Sequence, residues 1–331
     1  MSGYNTTVNN INYTINSYSR IILACMYVII FMVGIIGNIK LIRLIMAYKN
    51  ISILPFLNLG IADLLFVMFI PLYVVYILSN FRWYFGKTLC KISSFFFTSN
   101  MFASIFLITL INVYRYVKII LPSFTYKYIT FRNVCLAVVF TWIFSIMLGM
   151  PALYFRDTIV LKDNDTLCIN RYSNNKATAE FIYKIVICIR FTLGYLFPMI
   201  IIIICNILLI YKSNNTSVIY SKIFFISLSA SIVFFICWTP HHIINIITLI
   251  DNNNKNLRRF IKEASPVFAG FGCLYSAINP IIYIMVVKLL GSYEDDPYNS
   301  LIETLIDENE PVCTTEDTNV YNDIEINDII E

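Results

Sequence analysis

Arg115 stands in the run TLINVYRYVKII (residues 109–120), between Tyr114 and Tyr116 and with apolar residues beyond them. A guanidinium is always charged and carries five N–H donors, so in an apolar helix it must find acceptors or an aqueous cleft. No carboxylate adjoins it, and its chemistry is therefore contact: a cation offered to a partner or to a restraint. Asp63, in NLGIADLLF, is a second ionisable group in apolar surroundings, where a lone carboxylate must be paired, hydrated or protonated. Asn100 and Ser104 are four apart and share one helix face. With Asn38 and Asn279 they can complete an oxygen-rich pocket for that carboxylate, or a hydrogen-bond network that joins helices. Trp238 and Pro240 set a bulky side chain beside a helix break. The adjacent His241 and His242 point apart and lack a set of metal-ligand partners, which makes them pocket-lining or packing residues.

The elements that position these residues follow from composition. The 331 residues are 58% hydrophobic and only 13% charged, too little charge to cover a water-soluble surface. Apolar runs such as 21–42 and 191–211 are each long enough to cross a bilayer as a helix, and no ten-residue alternation of a membrane barrel is visible. The fold class expected is an all-α membrane protein, a bundle of seven transmembrane helices over 20–46, 53–79, 87–119, 133–155, 179–212, 217–250 and 259–288. An N-terminal segment (1–19) precedes the bundle (20–288), and no cleavable signal peptide is read there. A tail (289–331) follows with 13 of the chain's 20 acidic residues and no Lys or Arg, a composition of disordered segments.

Lys and Arg divide almost evenly between the two faces, so charge bias does not orient the bundle. Sequons at Asn5, Asn12 and Asn164 lie on the N-terminal side, although others lie opposite. Six of the nine cysteines fall within spans. Cys90 opens span three and Cys168 lies in the longest inter-span loop, on the N-terminal side. A disulfide between them requires an oxidising compartment, which places the N-terminus outside the cell.

Taken in order, the intramembrane polar residues form a pattern: GNIKLI in span one, NLGIADLLF with Pro71 in span two, WYFGKTLCK leading to VYRYV in span three, Trp142 and Pro151 in span four, Pro198 in span five, FFICWTPHH in span six and SAINPIIY in span seven. This set resembles the class A (rhodopsin-like) G-protein-coupled receptors over residues 20–288. NLGIADLLFVMFIPL, WYFGKTLCKI and NPIIY are most similar to the chemokine receptors, and the Ile-, Asn- and Tyr-rich composition suggests a virus-encoded, poxvirus-like copy at the host plasma membrane.

The resemblance implies a sodium ion at Asp63, Asn38, Asn100, Ser104 and Asn279 as the only cofactor. It implies a hinge at Trp238 and Pro240, an inward turn of Tyr283 after Pro280, and contact of a heterotrimeric G protein of the inhibitory class with Arg115, Tyr114 and Tyr116. It further implies arrestin binding to the tail, where Thr314, Thr315 and Thr318 are phosphorylation candidates. Tyr73, Lys91, Arg190, His241 and Glu263 are its candidate ligand-pocket residues.

Three departures carry information. Tyr114 stands where the family has an aspartate, Asn206 where it has a tyrosine, and Ala269 where chemokine receptors have a glutamate, for which Glu263 is the candidate substitute. With no acid at 114 or at the start of span six, Arg115 is expected to have no restraining partner. Elevated basal coupling follows from that; the alternative is a decoy that binds and internalises ligand. The ligand class implied is a chemokine, while the basic outer face favours an anionic ligand. No enzyme, channel or nucleic-acid-binding reading finds support, since repeats, a polar path and a catalytic set are not seen.

Overall fold

The computed structural model describes residues 16–46, 53–161, 164–212, 222–250 and 255–290. Asn5, Asn12 and the tail beyond residue 290 lie outside the described residues. Seven helices there are long and apolar enough to cross a membrane: Ser17–Met46, Leu54–Leu78, Gly86–Ile120, Phe131–Phe155, Lys176–Tyr211, Phe224–Leu249 and Arg259–Tyr283. These are the seven expected spans, with ends shifted by a few residues.

Span three is the axis. Its central window is 61% buried, against 28% in span four, so span three meets helices on nearly every side while span four shows most of its surface to lipid. Large apolar side chains such as Phe140, Ile204, Ile207 and Ile236 point outward and are half or more exposed. In lipid such a surface carries no hydrophobic penalty, and the polar side chains Asn38, Asp63, Asn100, Asn112 and Asn279 are buried inside together with large apolar ones such as Phe102 and Trp238.

Prolines stand beside two interruptions of the helices, whereas Pro151, Pro240, Pro266 and Pro280 lie inside continuous ones. Span two is two helices, Leu54–Val67 and Ile70–Leu78, broken just before Pro71, which cannot donate to the preceding turn. Span five carries a π-helical turn, Thr192–Leu196, directly before Pro198. That turn brings Gly194 against span three, where a Cβ would lie 2.6 Å from Phe102. Gly272 plays the same part in span seven, where a Cβ would lie 2.9 Å from the Trp238 ring.

Between spans four and five the chain forms a hairpin, β1 (Arg156–Val160) antiparallel to β2 (Thr166–Asn170), with Thr158 opposite Cys168 and Arg156 opposite Asn170. A disulfide joins Cys168 to Cys90 in the second turn of span three, Cα to Cα 5.8 Å. Trp83 locks the same corner: its backbone N–H donates to Thr166 O at 2.7 Å and its indole to Gly86 O at 2.7 Å. Ion pairs Lys87–Asp157 (2.9 Å) and Arg82–Asp165 (2.8 Å) fasten the hairpin from outside. Asn164, exposed at the turn with a positive φ of 60°, occupies a left-handed position that asparagine tolerates.

Candidate functional site

Three sets of polar side chains are stacked along the bundle. At the disulfide end a cavity of about 330 Å³ opens beneath the hairpin, lined in part by Tyr73, Phe97, Arg156, Arg190, His241 and Asn245. Arg156 is oriented by the hairpin it starts, donating from Nε to Cys168 Sγ (3.3 Å) and from Nη1 to Asn170 Oδ1 (3.2 Å). Arg190, from span five, has a buried Nε–H with no acceptor among the described residues. No Asp or Glu stands among the described residues that line the cavity. Two guanidiniums, one with such a donor, thus face an aromatic chamber with no counter-charge among its described lining residues. Such a chamber favours an anion, best a planar carboxylate that matches the guanidinium fork.

Tyr73, Arg190 and His241 therefore share the cavity with Arg156, which sequence reasoning missed. Its signal was its place directly after span four, which ends at Phe155, at the start of the loop that holds Cys168. Two expectations are corrected. Lys91 does not face the cavity: its Nζ donates to Leu153 O (2.7 Å) and Tyr154 O (3.1 Å), capping the last carbonyls of span four, where a cation is favoured by the helix dipole. Glu263 does not replace the missing acid of span seven: it pairs with Arg259 at 2.9 Å on the outer surface, while Ala269 lines the cavity.

Below the cavity lies Trp238, fully buried. Phe97 and His241, both cavity residues, touch it edge-on with ring centroids at 5.8 and 5.7 Å. Pro240, two residues on, removes the helical donor to Ile236 O within a helix that runs on from Lys222 to Ile250. A group that enters the cavity therefore has the Trp238–Pro240 stretch of span six one side chain beneath it.

The mid-bundle set gathers around Asp63. Its Oδ1 accepts from Ser104 Oγ (3.4 Å) and its Oδ2 from Asn279 Nδ2 (2.6 Å). Asn100 donates to Ser276 Oγ (3.3 Å), and Asn38 donates to Gly34 O and Ser276 O (both 2.9 Å). The amide oxygens of Asn38, Asn100 and Asn279 are buried without a donor among the described residues. A carboxylate beside three unsatisfied amide oxygens is an all-oxygen donor set suited to a hard cation, so these residues fit a sodium ion. Tyr283 lies toward the far end, buried, its ring 5.6 Å from and edge-on to Phe56, with a hydroxyl that has no partner among the described residues. Pro280, three residues earlier, packs beside Gly37 of span one.

At the end opposite the disulfide, Arg115 is 4% exposed. Tyr114 and Tyr116 on either side are half-buried. The guanidinium donates from Nη1 to Phe224 O (3.0 Å) and to Ser227 Oγ, and from Nη2 to Asn206 Oδ1 (2.6 Å); its Cζ lies 4.6 Å from the Phe224 ring centre. Arg115 Nε–H finds no acceptor among the described residues.

The expectation of an unrestrained Arg115 is thus corrected. Spans five and six hold it, but with neutral oxygens and an aromatic face. A hydrogen bond to a charged group contributes roughly 1.5–3 kcal/mol even when the acceptor is neutral, so the restraint is substantial without a carboxylate. Sequence reasoning searched for an acid and passed over Asn112, Ser227 and Ser231. Their signal was their type: small polar residues in apolar spans, at three- and four-residue spacing, belong on the inner face.

Comparisons agree with this arrangement. Residues 37–283 match the family described as 7 transmembrane receptor (rhodopsin family). A G-protein coupled receptor homolog of fowlpox virus (strain NVSL) is 43% identical over 317 residues, 95% of this chain and 93% of the relative. Human chemerin-like receptor 2 is 36% identical over 267 residues, 80% of this chain and 75% of that protein. A second fowlpox homolog is 32% identical over 85% of this chain. A seven-span bundle, a Cys90–Cys168 disulfide, a cavity at that end and a buried arginine at the other, joined by a sixth span that carries Pro240, is the architecture of a signalling receptor and not of an enzyme: the chain belongs to the rhodopsin family of seven-transmembrane, G-protein-coupled receptors.

Proposed function

We propose that this chain is a virus-encoded receptor of the host plasma membrane that binds an anionic group of an extracellular protein ligand and couples to a heterotrimeric G protein through Arg115. The observation that carries the ligand reading is the pairing of Arg156 and Arg190 in a cavity whose described lining residues hold no carboxylate. A basic chamber of this size takes a terminal or side-chain carboxylate of a protein, with the rest of the ligand resting on the hairpin and the N-terminal segment. The ligand class is a chemokine, as the sequence motifs imply, or a chemerin-like protein, as the names of the mammalian relatives suggest.

Orientation follows from the same reading: the disulfide end and the N-terminus face outward and the acidic tail faces the cytoplasm, where it meets arrestin. Asn164, exposed at the hairpin turn, then carries a glycan. Glycosidase treatment should increase the electrophoretic mobility of the wild type and leave a triple Asn5→Gln, Asn12→Gln, Asn164→Gln variant unchanged; a wild type that does not shift speaks against this orientation.

The G protein is of the inhibitory class. Basal activity exceeds that of a receptor with an acid at 114, because neutral acceptors bind the guanidinium less deeply than a carboxylate and one N–H is left over. The Asp63 set holds a sodium ion that neutralises the buried carboxylate in the closed packing. Labelled chemokines and chemerin, titrated on membranes bearing wild type and Arg190→Ala, test the ligand reading. Affinity should fall about 30-fold or more on losing one partner of a desolvated charge pair. A ligand that binds both forms equally refutes the assignment. A ligand that binds and is internalised without nucleotide exchange turns the reading to a decoy, which the altered residues at 114 and 206 would then explain.

A further inference from the structure

The neutral contacts around Arg115 form a closed ring through three spans. Arg115 Nη2 donates to Asn206 Oδ1 (2.6 Å); Asn206 Nδ2 donates to Asn112 Oδ1 (3.0 Å) and to Ile202 O (2.7 Å). Asn112 Nδ2 donates to Ser231 Oγ (3.0 Å), Ser231 Oγ to Ser227 O (2.7 Å), and Ser227 Oγ accepts from Arg115 Nη1. All five side chains are buried.

The bonds divide by element. Those to span six (Phe224 O, Ser227 Oγ, Ser231 Oγ) must break if span six moves away from span three. Those between spans three and five need not. Asn206 touches no span-six atom in this ring, yet its amide uses its acceptor on Arg115 and a donor on Asn112 at once. Those two are the span-three side chains that hydrogen-bond span six among the described residues. An apolar side chain can do neither, and a hydroxyl lacks the planar pair of donor and acceptor held apart by one carbon.

We propose that Asn206 is the positioning residue of a neutral latch: it aims Arg115 and Asn112 together at span six and so holds the Arg115 end closed. The latch supplies, without any carboxylate, the restraint whose absence the sequence suggested. It rests on the G-protein-coupling reading only for its effect on signalling. Its effect on the position of span six is independent of that reading.

The test measures both. Full-length receptor in nanodiscs carries spin labels, introduced as unnatural amino acids, at exposed Tyr126 and near the start of span six, and double electron–electron resonance reads their separation. Basal nucleotide exchange on an added inhibitory-class G protein is followed in parallel. Asn206→Leu should shift the open-to-closed ratio by about 10- to 100-fold, the loss expected for one hydrogen bond to a charged group, and raise basal exchange with it.

Ser231→Ala, which does not touch Asn206, should shift it less. The double variant should match Asn206→Leu alone, since both act through one ring, whereas two merely structural effects at separate sites would add. Unchanged distances in Asn206→Leu, or full additivity in the double variant, overturn the proposal. Widened distances with no exchange in any form support the latch and refute coupling to the G protein.

Discussion

Removal of the Cys90–Cys168 bond, by Cys90→Ser and Cys168→Ser together, tests how the outer end of the bundle is held. The two cysteines are 78 residues apart. If all of that loop gained freedom on unfolding, the chain-entropy relation would assign the bond about 4.5 kcal/mol. Spans three and four occupy most of the loop, however, and helices in a bilayer or micelle keep their backbone bonds when packing is lost. The freed chain is then the stretch from Phe155 through the hairpin to Cys168, close to the 15-residue loop for which the same relation gives about 3 kcal/mol.

A loss of about 3 kcal/mol corresponds to a fall in melting temperature on the order of 5–10 °C. The assay is thermal unfolding of detergent-solubilised receptor followed by intrinsic fluorescence, for wild type, double variant and wild type under reductant. The hairpin orients Arg156 through Cys168 and Asn170, so ligand affinity should fall in the same variant. A double variant that melts with the wild type would refute the reasoning. It would show that Trp83 and the ion pairs of Lys87 and Arg82 suffice to hold the hairpin.

Further outcomes follow from the same geometry. Asp63→Asn should abolish any dependence of ligand affinity on sodium concentration while potassium has no effect in either form; a sodium effect that survives the substitution removes Asp63 from the ion's shell. Lys87 beside Asp157 holds that carboxyl below its ordinary range. The ion pair's contribution is therefore complete above the unfolded value near 4 and is lost as pH falls through the lower folded value. Asp157→Asn should flatten the acid limb of a melting-temperature profile below about pH 4. The change at neutral pH should be small, about 1 kcal/mol or less, because Lys87 is largely exposed. An acid limb identical in both forms would show that the pair contributes nothing.

The sequence alone determined the architecture, because hydrophobic length and the positions of proline are properties of the chain itself. Seven apolar runs could only be seven helices, and Pro71 and Pro198 stand beside the interruptions in spans two and five because a missing N–H acts locally, while Pro240 sits inside a continuous helix. The Asp63 set was legible for a related reason. Asn38, Asn100, Ser104, Asp63 and Asn279 are polar residues in apolar spans, so each had to turn inward, and inward-facing groups at similar depth meet.

Only the tertiary structure decided which polar groups meet which. Lys91 and Glu263 looked like cavity residues by distance along the chain, but Lys91 lies within reach of the last carbonyls of span four and Glu263 within a turn of Arg259. Arg156 faces the cavity because a two-stranded hairpin turns it back over the bundle. The partners of Arg115 were the hardest to foresee. A charged partner can be sought by residue type, whereas neutral oxygens become acceptors only when packing brings them near. Asn206 lies 91 positions from Arg115 and Ser227 lies 112, and the crossing of spans three, five and six brings all three together.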